Sequence, residues 1–177
     1  MTSINVVVHG VLGKMGQEVL NAVCDADDLT PVGGVDFASS DDDSITTKNS
    51  LKIPLSNDLG KVISNADVVV DFTNADGARN VMSVAAANKV HCVIGSTGLS
   101  EKDFETAQSL AEENGTSIII APNFAMGAVL MMHLVRQASK FFEYADLTEV
   151  HHEAKIDAPS GTALAIAQAA FEGKQSA

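Results

Sequence analysis

The sequence has no tryptophan, one tyrosine and two cysteines, and its eleven lysines and arginines are outnumbered by twenty-three aspartates and glutamates. Each shortage excludes something. Two cysteines, Cys24 and Cys92, both in apolar surroundings, are too few for a disulfide framework and fit a reduced, cytoplasmic setting. A net charge of −12 with no basic stripe excludes a nucleic-acid partner. It also means that an anionic ligand must be held by local groups against an unfavourable field. No apolar run reaches the length that spans a bilayer, so no membrane partner is expected. The start, "MTSINVVVHG", lacks the basic segment and long apolar run of a signal peptide.

What is there is apolar and alternating. The chain of 177 residues is 46% apolar, enough for one domain, or one domain and part of another. Short apolar runs at 4–9, 29–36, 66–72, 90–95 and 116–122 read as buried strands, since each is brief and bounded by turn residues. Between them, 13–24, 74–88 and 100–114 read as helices, and 57–64 as a short helix capped by Asn57 or Asp58. Ser100 and Asp103 have the spacing of a weakened capping box. Residues 36–50 have no apolar period and read as a loop. The alternation predicts an α/β fold, a Rossmann-like parallel sheet with helices on both faces. After residue 122 the pattern changes to a long helix (125–143), one alternating strand (145–152) and a final helix (161–173). One strand is not a sheet, so this part reads as an incomplete α+β substrate domain. The boundaries expected are 1–122 for the dinucleotide-binding domain and 123–177 for the partial substrate domain.

The first strand-to-helix junction, "VVVHGVLGKMGQEVL" (6–20), spaces its glycines as GxxGxxG. Glycines there let backbone N–H groups approach a pyrophosphate at a helix start. The contact residues expected are Gly10, Val11, Leu12, Gly13, Lys14 and Met15. Asp36 ends the second strand twenty residues after Gly16, where an acid accepts from the adenosine ribose hydroxyls. It repels a 2′-phosphate, and Phe37 follows it where an arginine could have bound one. NADH is therefore favoured over NADPH, although Lys14 could restore NADPH binding. The loops after later strands add Phe72 and Thr73, then Gly95, Ser96 and Thr97, then Ala121, Pro122, Asn123 and Phe124. All share the carboxyl edge of the sheet, where such folds bind ligands.

"EVHHEAKIDAPSGTA" (149–163) carries two histidines, a lysine and a Pro-Ser-Gly-Thr turn opening the last helix. Histidine is the natural proton donor near neutral pH, and a helix start binds anions. No third ligand accompanies the histidines, so no metal is expected. His9, His91 and His133 read as structural, His9 being nearest the cofactor loop, and the Met126, Met131 and Met132 cluster reads as packing a helix against the sheet.

With "GVLGKMG", "VVVDFT", "VIGSTG" and "APNFAMG", this last motif makes the chain resemble the dihydrodipicolinate (4-hydroxy-tetrahydrodipicolinate) reductases of lysine biosynthesis, from about residue 4 to about 171. The resemblance implies hydride reduction of a cyclic, unsaturated dicarboxylate to tetrahydrodipicolinate. It implies His151 as proton donor and Lys155 as the second catalytic group. His152, Ser160, Gly161 and Thr162 are the implied substrate contacts. It also implies a homotetramer, formed through a region that follows the Pro-Ser-Gly-Thr helix in family members and is missing here. Ala154 and Phe37 depart from residues that some members carry. The short length suggests a truncated protein, a natural short relative, or one piece of a protein completed by another chain. The competing expectation is a nucleotide-binding module without turnover. A different dehydrogenase would need another catalytic motif, and none is visible.

Overall fold

A computed structural model describes residues 3–40, 43–121, 123–151, 153 and 158–176. By internal contacts the chain divides into two compact units, Met1–Ala121 and Pro122–Ala177.

The first unit is built on seven strands: β1 (Ile4–His9), β2 (Leu29–Val35), β3 (Asp43–Thr46), β4 (Lys52–Ser56), β5 (Val68–Asp71), β6 (His91–Ile94) and β7 (Ile118–Ile120). Their order is β3-β4-β2-β1-β5-β6-β7. Every pairing is parallel except β3 with β4. Helices α1 (Lys14–Asp25), α2 (Ala75–Ala87) and α3 (Glu101–Asn114) connect them. The chain steps from β1 outward to β2, then returns to the other side of β1 to add β5. The strand order reverses there, and the chain leaves β1 for α1 on one face and β5 for α2 on the other, which opens a crevice at the carboxyl edge.

Alternation along β1 explains the two cores. Val7 points to one face, where Val69, Val81, Met82, Ala85 and Cys92 are buried with it. Val6 and Val8 point to the other face and pack with Val11, Leu20, Val23, Ile53 and Leu55. Successive strand residues face opposite sides, so a continuous apolar run is what a sheet covered on both faces requires.

Two expectations fail in this unit. Residues 36–50 are not all loop, because Asp43–Thr46 pairs antiparallel with Lys52–Ser56. This pair lies at the sheet edge, where little burial is needed and apolar periodicity is weak. The helix expected over 57–64 is two short 3₁₀ turns, Leu59–Lys61 and Ile63–Asn65. Asp58 caps the first by accepting from the Gly60 N–H at 2.9 Å.

The second unit pairs α4 (Met126–Ala138) with α5 (Gly161–Gln175). α5 buries Ala163, Ile166, Ala169 and Gly173. At Gly173 an added Cβ would lie 2.2 Å from the Arg136 carbonyl oxygen, so the helices approach with backbone against backbone. The strand expected over 145–152 is not formed by its described residues. A strand needs a partner, and no strand exists among the described residues of this unit. Tyr144 and Val150 are 84% and 89% exposed. The methionines do not bury α4 as expected, since Met126 and Met131 are exposed. His133 is likewise exposed rather than structural.

Candidate functional site

In the first unit the glycine loop sits at the carboxyl end of β1. Gly10 has φ +81°, a conformation that costs glycine little and other residues more. Its N–H and that of Val11 both donate to the Val35 carbonyl, at 2.8 and 3.1 Å. Gly13 caps α1. Gly16 lies so close beneath that an added Cβ would be 2.0 Å from the Gly10 carbonyl oxygen. The glycines thus let helix, loop and strand touch, and they leave the first-turn N–H groups of α1 pointing outward. No acidic side chain occupies that first turn.

A cavity of about 480 Å³ opens over the loop. Its lining includes Gly10, Gly13, Asp36 and Phe37, and also Phe72, Thr73, Gly77 and Asn80. Asp36 is buried. One of its carboxylate oxygens accepts from the Leu12 N–H at 3.0 Å and the other from the Ala38 N–H at 3.1 Å. The carboxylate is thereby fixed at the cavity wall with lone pairs to spare, since each oxygen has two. Phe37 is 94% exposed.

The loop residues divide by role. Val11 is fully buried in the core, and the Leu12 N–H is already given to Asp36. Lys14 and Met15 are exposed at the start of α1. Phe72 lies against Gly95, where a Cβ would meet its ring at 2.3 Å. Ser96 is buried. Its hydroxyl donates to Asp71 Oδ2 at 2.5 Å and accepts from the Thr73 N–H at 2.8 Å. Thr73 and Thr97 are exposed. Ala121 ends the first unit.

Sequence reasoning missed Asp71. It has no exposed surface, yet it meets three side chains. His9 Nδ1 lies 2.6 Å from Oδ1, Thr73 Oγ1 donates to Oδ1 at 2.7 Å, and Ser96 donates to Oδ2. His9 and Asp71 are register partners across β1 and β5. The signal was an aspartate closing an otherwise apolar run, "VVVD", level with a histidine closing "VVVH".

In the second unit, Ser160 caps α5. Its hydroxyl accepts from the Ala163 N–H at 3.1 Å and donates to Glu149 Oε2 at 2.6 Å, while its own N–H donates to Glu149 Oε1 at 2.9 Å. His151 Nδ1 lies 3.6 Å from the same carboxylate. Asn123 Nδ2 donates to Thr162 Oγ1 at 2.9 Å, and Asn123 Oδ1 accepts from the Ala125 N–H. Phe124 is half-exposed. Glu149 therefore joins His151 to the start of α5, and the N–H groups of Gly161 and Thr162 have no acceptor among the described residues. Pro122, His152 and Lys155 lie outside the described residues. Among the described residues there is no group of three or more histidine, cysteine or acidic side chains that could hold a metal. None of their helices is long and apolar enough to cross a membrane.

Two family models match the chain: dihydrodipicolinate reductase, N-terminus, over residues 4–124, and its C-terminus over 127–177. A 4-hydroxy-tetrahydrodipicolinate reductase of Dehalococcoides mccartyi is 48% identical over 96% of this chain and 65% of its own length. One from Syntrophomonas wolfei is 41% identical over 92% of this chain and 63% of its own. Among solved structures, a dipicolinate-bound dihydrodipicolinate reductase from Paenisporosarcina sp. TG-14 superposes with a TM-score of 0.79 at 33% identity, covering 99% of this chain and 68% of its own. A homoserine dehydrogenase of S. aureus, 17% identical with a TM-score of 0.56 over 68% of this chain and 32% of its own, shares the fold. The chain spans about two thirds of the length of the curated relatives it matches.

Proposed function

The chain belongs to the dihydrodipicolinate reductase family, and from that premise we propose that it carries the cofactor and substrate groups of an NAD(P)H-dependent reductase. Its substrate is the 4-hydroxy-tetrahydrodipicolinate or dihydrodipicolinate ring of lysine and diaminopimelate biosynthesis, and its product is tetrahydrodipicolinate. The observation that carries the reading is the pair of unclaimed N–H groups at Gly161 and Thr162, joined through Glu149 to His151. An anion-binding helix start beside a proton donor suits a dicarboxylate that must be protonated as it is reduced.

The nicotinamide dinucleotide supplies the hydride when bound. The residues present fit it. Gly10 and Gly13 line the cavity without side chains of their own, and Asp36 stands fixed at its wall. Gly10, Gly13 and the start of α1 would hold the diphosphate. Asp36 would accept from the ribose hydroxyls, which favours NADH over NADPH. Phe72, Thr73, Gly95, Ser96, Thr97, Ala121, Pro122, Asn123 and Phe124 remain the residues assigned to the nicotinamide half. Ser96 acts there through Asp71 and Thr73, because its hydroxyl is already engaged.

In the substrate half, His151 donates the proton and Lys155 assists. His152, Gly161 and Thr162 hold carboxylates. Ser160 shapes their turn, since its N–H and hydroxyl proton go to Glu149. The two free thiols, Cys24 and Cys92, support a cytoplasmic setting. The homotetramer implied by the resemblance belongs to the same proposal.

The test is NADH oxidation by the purified 177-residue chain. Substrate is generated in situ by the preceding synthase from pyruvate and aspartate semialdehyde. Oxidation that depends on substrate is expected. NADH binding without turnover would instead favour the second reading, a nucleotide-binding module whose catalytic groups need the rest of a longer protein.

A further inference from the structure

The cavity over the glycine loop has an electrostatic deficit. Two of its lining side chains are carboxylates, Asp36 and Asp76, and none is lysine or arginine. The chain as a whole carries −12. A diphosphate placed there meets backbone N–H groups at the start of α1, but among the lining side chains only His9 can present a cation.

His9 is held for such a task. Its Nδ1 lies 2.6 Å from Asp71 Oδ1. A carboxylate only accepts, so Nδ1 carries the hydrogen. The Asp71 carboxylate is in turn fixed by the Thr73 and Ser96 hydroxyls, and it is completely buried. The ring is packed against α2, where a Cβ at Gly77 would lie 3.3 Å from His9 Cε1. Ring orientation is thus determined on both sides. Nε2 has no partner among the described residues, and His9 forms part of the cavity wall.

We propose that His9 contacts the diphosphate of the bound dinucleotide through Nε2, oriented by the buried Asp71 carboxylate. The proposal rests on the dinucleotide reading above. As an imidazolium the ring donates twice, once to Asp71 and once to a phosphate oxygen. Asp71 then couples cofactor grip to loop position, because Thr73 and Ser96 hang on the same carboxylate. ADP carries the diphosphate, so it serves as the probe for this contact without the nicotinamide half.

Two variants separate contact from scaffolding. In His9→Asn the amide nitrogen takes the place of Nδ1, keeping the bond to Asp71 and removing Nε2. In His9→Gln the amide reaches the place of Nε2 and leaves Asp71 unmatched. Affinity for ADP and for NADH is measured by calorimetry on the full chain, with Tm recorded for each variant. We expect His9→Asn to bind ADP about 10- to 100-fold more weakly, the scale of a charge-assisted hydrogen bond. We expect His9→Gln to bind ADP more tightly than His9→Asn although it is the less stable protein. Wild-type affinity in His9→Asn, or an affinity order that follows stability, overturns the proposal. If the wild-type chain binds neither ADP nor NADH, the dinucleotide reading itself fails, and this contact with it.

Discussion

Ser160 gives both its backbone N–H and its hydroxyl proton to the Glu149 carboxylate, at 2.9 and 2.6 Å. The start of α5 therefore contains an internal anion one residue before the N–H groups assigned to substrate. Glu149 also lies 3.6 Å from His151 Nδ1, so one carboxylate is bonded to the helix start and faces the histidine. Glu149→Gln keeps the size of the side chain and removes its charge. We expect kcat/KM to fall by at least about 10-fold, the scale of one lost charge-assisted bond. ADP affinity, a property of the other unit, should not move. Unchanged turnover would show that the contact only closes the turn.

His151→Gln tests the proton donor directly. Removing a positioned general acid costs about 10²- to 10⁴-fold. The loss should fall on kcat, with NADH affinity unchanged. A variant that turns over at the wild-type rate would remove His151 from the mechanism.

Asp36→Ala should weaken NADH binding by about 10-fold, through loss of acceptors for the ribose hydroxyls. NADPH binding should weaken less, because a repelling charge is lost at the same time. The ratio of the two dissociation constants is the readout. A ratio equal to that of the wild type would place the adenosine ribose elsewhere.

Burial and the nearby Asp71 carboxylate push the Cys92 thiol up to about 12. A thiol reacts as its thiolate, so Cys92 should be inert in the folded chain. At pH 8, iodoacetamide should label Cys24, which is partly exposed, and should reach Cys92 only after denaturation. Mass spectrometry of the digested protein reads the sites. Equal labelling of both in the folded state would contradict the burial.

Hydrogen bonds from the Arg79 guanidinium, and then from Ser100, hold the Asp103 carboxyl well below the usual carboxylate range. Arg79 Nε and Nη2 meet its two oxygens at 2.8 and 3.1 Å, tying α2 to α3. A depressed carboxyl contributes stability above its unfolded value of about 4, lost as pH falls toward the folded value. Asp103→Asn should therefore lower Tm at pH 7, with the gap closing as pH falls below about 4. A gap that is constant with pH would show that the Asp103 carboxyl is not held below its ordinary range in the folded chain.

The parts of the fold that were legible had strong period. The β1 run "INVVVH" and the β5 run "DVVVDF" lie in the middle of the sheet, where two covered faces demand continuous apolar residues. Ser100 and Asp103 were recognisable by spacing alone, and the Asp103 carboxylate does accept from the Ser100 N–H at 2.7 Å. The β3–β4 ribbon was not legible, because an edge pair needs few apolar residues and Pro54 sits within β4, a position proline takes only where strands are peripheral or bulged. Residues 145–152 erred the other way. Alternation shows that a segment could be a strand, but pairing makes it one. At the site, the glycine loop and Asp36 were readable from spacing. Asp71 was not, because its role depends on register with β1, a relation between positions 62 apart.

That separation has a consequence for synthesis. β1 emerges first from the ribosome, but its neighbour β5 completes at Asp71, and the chain between them must already have laid β2 on the opposite flank. Synthesis at about 5–20 residues per second takes seconds to cover that distance, far longer than the loop needs to close. The nascent chain should therefore wait with the inner edge of β1 uncovered, and β6 and β7 can add only after that vacancy is filled. A pause in translation before β5 has emerged would prolong the aggregation-prone interval, whereas one after β7 has emerged would leave every strand free to pair.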